Sequence, residues 1–106
     1  MKLLTKQILA NFKKQGHTDF KSSNEVKIIA KFFNPVGAGN WYAVEYDEKE
    51  RVFFGFVSLF NDENDELGYF SLDELESYRG PLGSGIERDM HFGDHTLQEV
   101  LDGARP

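Results

Sequence analysis

The fold is decided by one apolar stretch, Val52-Phe53-Phe54-Gly55-Phe56-Val57-Ser58-Leu59-Phe60. Because side chains alternate between the two faces of an extended strand, this stretch places phenylalanine on both faces. A strand that is apolar on both sides lies inside a sheet and needs a covering layer over each face. We therefore expect residues 52–60 to form the central strand of a sheet whose faces are covered by helices.

Two further strands precede this stretch in the chain. Residues 26–33 alternate, and residues 41–47 are rich in aromatic and β-branched side chains, which is typical of strands. The turn residues between them predict that the two strands pair as a hairpin; they are Asn34-Pro35 and Gly37-Ala38-Gly39-Asn40. One apolar face of the first strand is predicted to comprise Val26, Ile28, Ala30 and Phe32.

Three segments carry the start and stop signals of helices. Thr5 is a side-chain cap for a helix over residues 6–14, which Gly16 ends. The sequences Ser71-Leu72-Asp73-Glu74 and Thr96-Leu97-Gln98-Glu99 have the spacing of capping boxes, and each predicts the start of a short helix.

These elements define the expected fold class. Residues 67–70 and 86–92 are predicted as fourth and fifth strands. The chain of 106 residues has enough apolar content for one core but not for two. We expect an α+β fold in a single domain, residues 1–106, with a mainly antiparallel sheet of four or five strands, an N-terminal helix and two short later helices.

Charge is distributed unevenly along the chain, whose formal net charge is −6. Residues 1–31 carry seven lysines against two acids, a net of +5, whereas residues 32–106 carry −11. Between Arg51 and Arg79 there are seven acidic residues and no basic one. Such a region repels a phosphate backbone, which argues against ordinary DNA binding.

The composition also bears on the cellular compartment. Only Leu3 and Leu4 follow Lys2 before polar residues begin, so the apolar stretch of about 7–15 residues that a secretory signal requires is missing. The apolar stretch 52–60 is much shorter than the roughly 20 residues that cross a bilayer. The absence of cysteine fits a reducing compartment. We expect a cytoplasmic protein without a membrane partner.

Two clusters of charged residues are candidate sites. Strand geometry over residues 86–92 would place Glu87, Asp89 and His91 on one face, where they could contact a partner, bind a divalent cation or perform acid–base chemistry. The second cluster is an acidic run that could imitate phosphates and occupy a basic groove of another protein; it comprises Asp62, Glu63, Asp65 and Glu66.

No motif specifies a reaction or a cofactor. As a calcium loop, the acidic run would put Leu67 where an EF-hand needs glycine. The glycine-rich segments 37–39 and 83–85 lack the third glycine of a dinucleotide fingerprint, and neither a nucleophile elbow nor a zinc-protease motif occurs. We therefore predict no catalytic residue, no metal ligand and no cofactor.

Several blocks of sequence form a recognisable pattern: Leu3-Leu4-Thr5-Lys6, Phe32-Phe33-Asn34-Pro35, Asn40-Trp41-Tyr42 with Glu45 and Asp47, the run from Glu66 to Ser77, and Arg79-Gly80-Pro81-Leu82-Gly83 with the run from Ile86 to Phe92. Together these blocks resemble one known family, the domain-of-unknown-function family 2958. The resemblance covers roughly residues 3–100. It implies an accessory protein of plasmids, conjugative elements and phages, and it brings no catalytic residues.

The leading hypothesis is a non-enzymatic protein-binding module of a mobile genetic element. Its acidic surface would inhibit a host nucleic-acid-targeting defence by filling the basic groove of a host protein. One alternative is a metal-assisted hydrolase, acting on phosphoesters, that uses Glu87, Asp89 and His91. The other is an adaptor that forms a homodimer through an exposed apolar sheet face.

Overall fold

A five-stranded antiparallel sheet organises the computed structural model, which describes residues 2–106. The strands lie in the order β4-β3-β2-β1-β5. The elements are α1 (Lys6–Gln15), β1 (Ala30–Phe33), β2 (Asn40–Asp47), β3 (Val52–Ser58), β4 (Glu66–Ser71), α2 (Leu72–Ser77), a 3-10 turn (Pro81–Gly83), β5 (Glu87–Arg88) and α3 (Leu97–Leu101). The predicted α+β class, with five strands, one N-terminal helix and two short later helices, is confirmed.

Helices cover both faces of the sheet. Helices α1 and α2 cover the first face, where the core comprises Leu3, Phe12, Ala30, Phe32, Ala43, Phe53, Leu72, Leu75 and Ile86. Helix α3 covers the second face, where the core comprises Val26, Ile28, Tyr42, Val44, Phe56, Leu97 and Val100. Strand β3 contributes Phe53 to the first face and Phe56 to the second, so the prediction that both its faces are covered is confirmed.

Strand β3 is an interior strand, but β2 occupies the centre of the sheet. The prediction that β3 is central was therefore wrong, because two-sided burial requires a neighbour on each edge and does not require the middle position. The strand also ends at Ser58, and the next two side chains, Leu59 and Phe60, are exposed.

A β-bulge in β2 is matched by a glycine in β3. Ala43 pairs with Gly55 and Glu45 pairs with Phe54, so Val44 is an additional residue in β2. A Cβ atom on Gly55 would lie 1.9 Å from the carbonyl oxygen of Tyr42. Only glycine allows the two backbones to approach this closely.

The first predicted strand is shorter than expected. Val26 and Ile28 belong to the second face, whereas Ala30 and Phe32 belong to the first, so the prediction of one continuous apolar face was wrong. The cause lies in two backbone hydrogen bonds to residues at the start of α3. The Ile28 N–H donates to the His95 carbonyl at 2.9 Å. The Leu97 N–H donates to the Val26 carbonyl at 2.8 Å. These bonds hold residues 26–28 against α3, and the ladder with β2 begins at Ala30.

The predicted caps begin all three helices. Thr5 accepts from the Ile8 N–H at 3.1 Å, and Ser71 accepts from the Glu74 N–H at 3.2 Å. Thr96 forms a reciprocal capping box with Glu99. In the described part of the chain, none of the helices combines the length and apolar character that crossing a bilayer requires.

Candidate functional site

The segment that carries Glu87, Asp89 and His91 is mostly not a strand. Only Glu87–Arg88 forms β5, against the predicted range 86–92. The Asp89 side chain accepts from the His91 N–H at 2.9 Å, which closes a turn. The strand alternation that would align His91 with the two carboxylates therefore stops at Asp89.

Asp89 lies beside a mostly buried lysine. The Lys31 Nζ is 3.8 Å from the Asp89 carboxylate, and it also donates to the backbone oxygen of Pro106 at 2.7 Å. Within residues 2–106, no group of three or more histidine, aspartate or glutamate side chains is arranged to hold a metal ion. Contacts of Glu87, Asp89 and His91 with a partner stay a prediction.

In the acidic run, Asp65 is already engaged inside the molecule. Its side chain is only 5% exposed, and it accepts from Ser58 Oγ at 2.8 Å and from Arg105 Nη2 at 3.0 Å. Burial acts to raise the pKa of Asp65, but the hydrogen bonds from Ser58, Arg105 and the Asp62 N–H, together with the positive charge of Arg105, outweigh it and hold that pKa below the usual value. The Arg105 guanidinium in turn lies over the Phe56 ring, 4.8 Å from its centroid.

Sequence reasoning did not find this ion pair, because Arg105 is 40 residues from Asp65 along the chain and belongs to no motif. The pair attaches the acidic loop to the second face of the sheet. The other three acids of the run, Asp62, Glu63 and Glu66, are exposed. None of these three takes part in an ion pair with another of residues 2–106.

Strand β4, which follows the acidic loop, forms one edge of the sheet. Leu72 N–H donates to the Arg51 carbonyl, one step beyond the last β3–β4 pair. Since hydrogen-bonded pairs alternate along an antiparallel ladder, the backbone groups of Leu67, Tyr69 and Ser71 point away from β3. The side chains of Leu67 and Tyr69 are 42% and 78% exposed. The outer side of β4 is thus an unpaired edge with two apolar side chains, which we call the β4 edge.

A cavity of about 390 Å³ lies on the first face, between α2 and the β1–β2 hairpin. We call it the aromatic cavity. Its lining comprises Asn34, Ala38, Trp41, Leu59, Phe70, Ser71, Glu74, Leu75, Tyr78 and Ile86. Sequence analysis did not predict it, because its walls come from segments that are far apart in the chain.

The described residues thus define a small α+β protein whose sheet is covered on both faces and whose distinctive surface is an acidic loop leading into an open strand edge. A family model for proteins of unknown function, DUF2958, matches residues 3–106. The chain belongs to this family, as its sequence blocks predicted. Neither a curated protein nor a solved structure matches the chain.

Proposed function

We propose that this protein is a non-enzymatic binding module that pairs its β4 edge with an extended, basic segment of another protein. The observation that carries the proposal is the β4 edge itself, whose outward N–H and C=O groups can accept another strand. Backbone pairing of this kind provides affinity, and the side chains beside the edge provide specificity.

The negative charge near the β4 edge favours one kind of partner segment over others. The exposed carboxylates of Asp62, Glu63 and Glu66 lie at the start of β4 without ion-pair partners among residues 2–106. A strand that carries lysine or arginine would satisfy them, and long-range attraction would speed its approach.

A second copy of the chain fits this edge less well. Antiparallel pairing of two β4 strands about a two-fold axis would bring the acidic loop of each copy toward α2 of the other. Helix α2 itself carries Asp73, Glu74 and Glu76, of which Asp73 and Glu76 share one cation, Arg51, so the helix keeps a negative balance. Like charges at close range oppose such pairing, so we favour a basic partner over the homodimeric adaptor.

The finer form of the proposal is an acidic inhibitor, carried by a mobile element, that occupies the basic groove of a host nucleic-acid-targeting protein. It is supported by the exposed carboxylates and by the setting that the family resemblance implies. In this form, Glu66 and its neighbours take the places of backbone phosphates.

The test is binding of a short synthetic peptide of alternating lysine and valine, followed by the backbone amide resonances of β4. We expect saturable shifts centred on Leu67, Tyr69 and Ser71, and weaker binding as salt rises. A peptide with glutamine in place of lysine controls for charge.

A matched pair of variants isolates the backbone contact. Tyr69→Pro and Tyr69→Ala both remove the side chain, but only the proline variant also removes the outward N–H group. We expect Tyr69→Pro to bind the peptide about tenfold more weakly than Tyr69→Ala, a difference of about 1.4 kcal/mol. Equal binding by the two variants, with β4 intact in both spectra, would exclude strand addition at this edge.

A further inference from the structure

The aromatic cavity has walls suited to a cationic side chain. The rings of Trp41, Phe70 and Tyr78 line it, and Glu74 places a carboxylate in the same lining. Aromatic faces attract cations, and the attraction increases when water is excluded. The volume of about 390 Å³ is at the small end of the range of about 300–1,000 Å³ that is typical of ligand pockets.

Glu74 differs from its acidic neighbours on α2. Arg51 pairs with Asp73 at 2.8 Å and with Glu76 at 3.1 Å. Glu74 takes part in no ion pair within the described residues 2–106, although it is the α2 acid that lines the cavity. The cavity therefore combines aromatic walls with a carboxylate that forms no ion pair with any other residue of the part of the chain that the structure describes.

The walls of the cavity are positioned by backbone geometry. Gly39 has a φ of +128°, and a Cβ atom there would lie 2.8 Å from the Trp41 ring. Glycine at this position thus leaves room for the indole beside the hairpin turn. Asn34 Nδ2 donates to the hydroxyl of Tyr78, another residue of the lining, at 3.4 Å. A pocket whose rings are held in place before binding loses little entropy when it is filled.

We propose that the aromatic cavity binds one arginine side chain of the same basic partner that pairs with the β4 edge. This inference rests on the proposed function. Phe70 and Ser71 belong to both the end of β4 and the cavity lining, so a segment that runs along β4 arrives at the cavity. Arginine fits better than lysine, because its planar guanidinium stacks on aromatic rings and pairs with a carboxylate through two parallel hydrogen bonds.

The experiment uses Trp41 as the reporter, because it is the single tryptophan of the chain. The intact protein is titrated with three lysine–valine peptides that differ at one position, which is arginine, citrulline or lysine. Citrulline keeps the shape of arginine and removes its charge. We expect the arginine peptide to change the Trp41 emission and to bind at least about tenfold more tightly than the citrulline peptide.

Two variants with the same change of charge separate the cavity from the general acidic surface. Glu74→Gln should reduce arginine-peptide affinity about tenfold and abolish its advantage over citrulline. Glu63→Gln, in the acidic loop, should leave that advantage unchanged. Equal affinity of the arginine, lysine and citrulline peptides, or an equal loss of the arginine advantage in both variants, would overturn the proposal.

The two proposals fail in different ways. If the cavity proposal alone is wrong, Glu74→Gln leaves arginine preference intact while Tyr69→Pro still weakens binding of every basic peptide. If strand addition is wrong, Tyr69→Pro and Tyr69→Ala bind equally, whatever the identity of the variable residue.

Discussion

Asp65 differs from the exposed acids around it because it connects the acidic loop to the second face of the sheet. Its partner Arg105 is held between that carboxylate and the Phe56 ring, and Arg105 also donates to the Val100 carbonyl at 2.7 Å. One side chain therefore connects the loop, the sheet and the end of α3. Removal of the carboxylate would leave a largely buried guanidinium without its ionic partner.

We predict that Asp65→Ala lowers the free energy of unfolding by about 1–3 kcal/mol, the cost of leaving a mostly buried polar group unpaired. Urea denaturation measures the change. Glu63→Ala, at an exposed position of the same loop, should stay within about 0.5 kcal/mol of the unmodified protein. Equal stability of the two variants would mean that the Asp65–Arg105 pair contributes nothing.

A fall in pH should weaken the hydrogen bonds that the Glu45 and Asp65 carboxylates accept. Burial acts to raise the pKa of Glu45, but hydrogen bonds from the Thr18 hydroxyl and N–H and from His17 outweigh it, so that pKa is lowered. The pKa of Asp65 is lowered as well. Because both folded-state pKa values lie below the unfolded ones, the stabilisation is complete above the unfolded pKa of about 4 and is lost as pH falls through the folded pKa.

We therefore expect the difference in Tm between the unmodified protein and a Glu45→Gln, Asp65→Asn variant to shrink as the pH falls below about 4. Thermal unfolding followed by circular dichroism across this range measures it. A Glu63→Gln variant should track the unmodified protein at every pH. A difference in Tm that grows as the pH falls would contradict the lowered pKa values of Glu45 and Asp65.

At the level of elements, the β2 bulge and Gly55 depend on each other. Gly55 and Gly68 form one cross-strand pair, yet only Gly55 lies against the β2 backbone. A Cβ on Gly68 would meet nothing within 4 Å. The two glycines thus provide a matched test of close backbone approach.

We predict that Gly55→Ala destabilises the protein by about 3 kcal/mol or more, since the added methyl must displace backbone and not only a flexible side chain. Gly68→Ala should be neutral or stabilising by up to about 1 kcal/mol, because alanine restricts the unfolded chain. Chemical denaturation of both proteins provides the comparison. If the two substitutions changed the free energy of unfolding equally, the β2 backbone at the bulge would have to move to accommodate the added methyl group.

The helix starts could be predicted from sequence, whereas the β1 and β5 boundaries could not. Thr5, Ser71 and Thr96 act on backbone groups within their own first turn, so the signal is local. The switch of face between Ile28 and Ala30 depends on hydrogen bonds to the start of α3, which no pattern within residues 26–33 records. The acidic run was predictable as a candidate surface, but the engagement of Asp65 by a distant arginine was not.

For the whole molecule, negative charge around β4 should oppose self-association. We predict that the double variant Asp62→Lys, Glu66→Lys forms dimers at least about tenfold more readily than the unmodified protein, because repulsion across the paired edges becomes attraction. Sedimentation analysis over a range of concentrations measures the change.

The addition of Tyr69→Pro to that double variant should reverse the dimerisation, since it removes an N–H group from the β4 edge. Adding Tyr69→Ala instead should reverse it less. Dimerisation that survives the proline substitution would place the contact elsewhere on the surface.

The two-sided cover of the sheet has a consequence for how this protein can diversify. With helices on both faces, the side chains of the two buried clusters hold the chain together, and a change there endangers folding itself. The exposed positions of the acidic loop and of the outer side of β4 are not tied to the interior in this way. We therefore expect that substitutions at these peripheral positions can alter what the protein binds at little cost in stability.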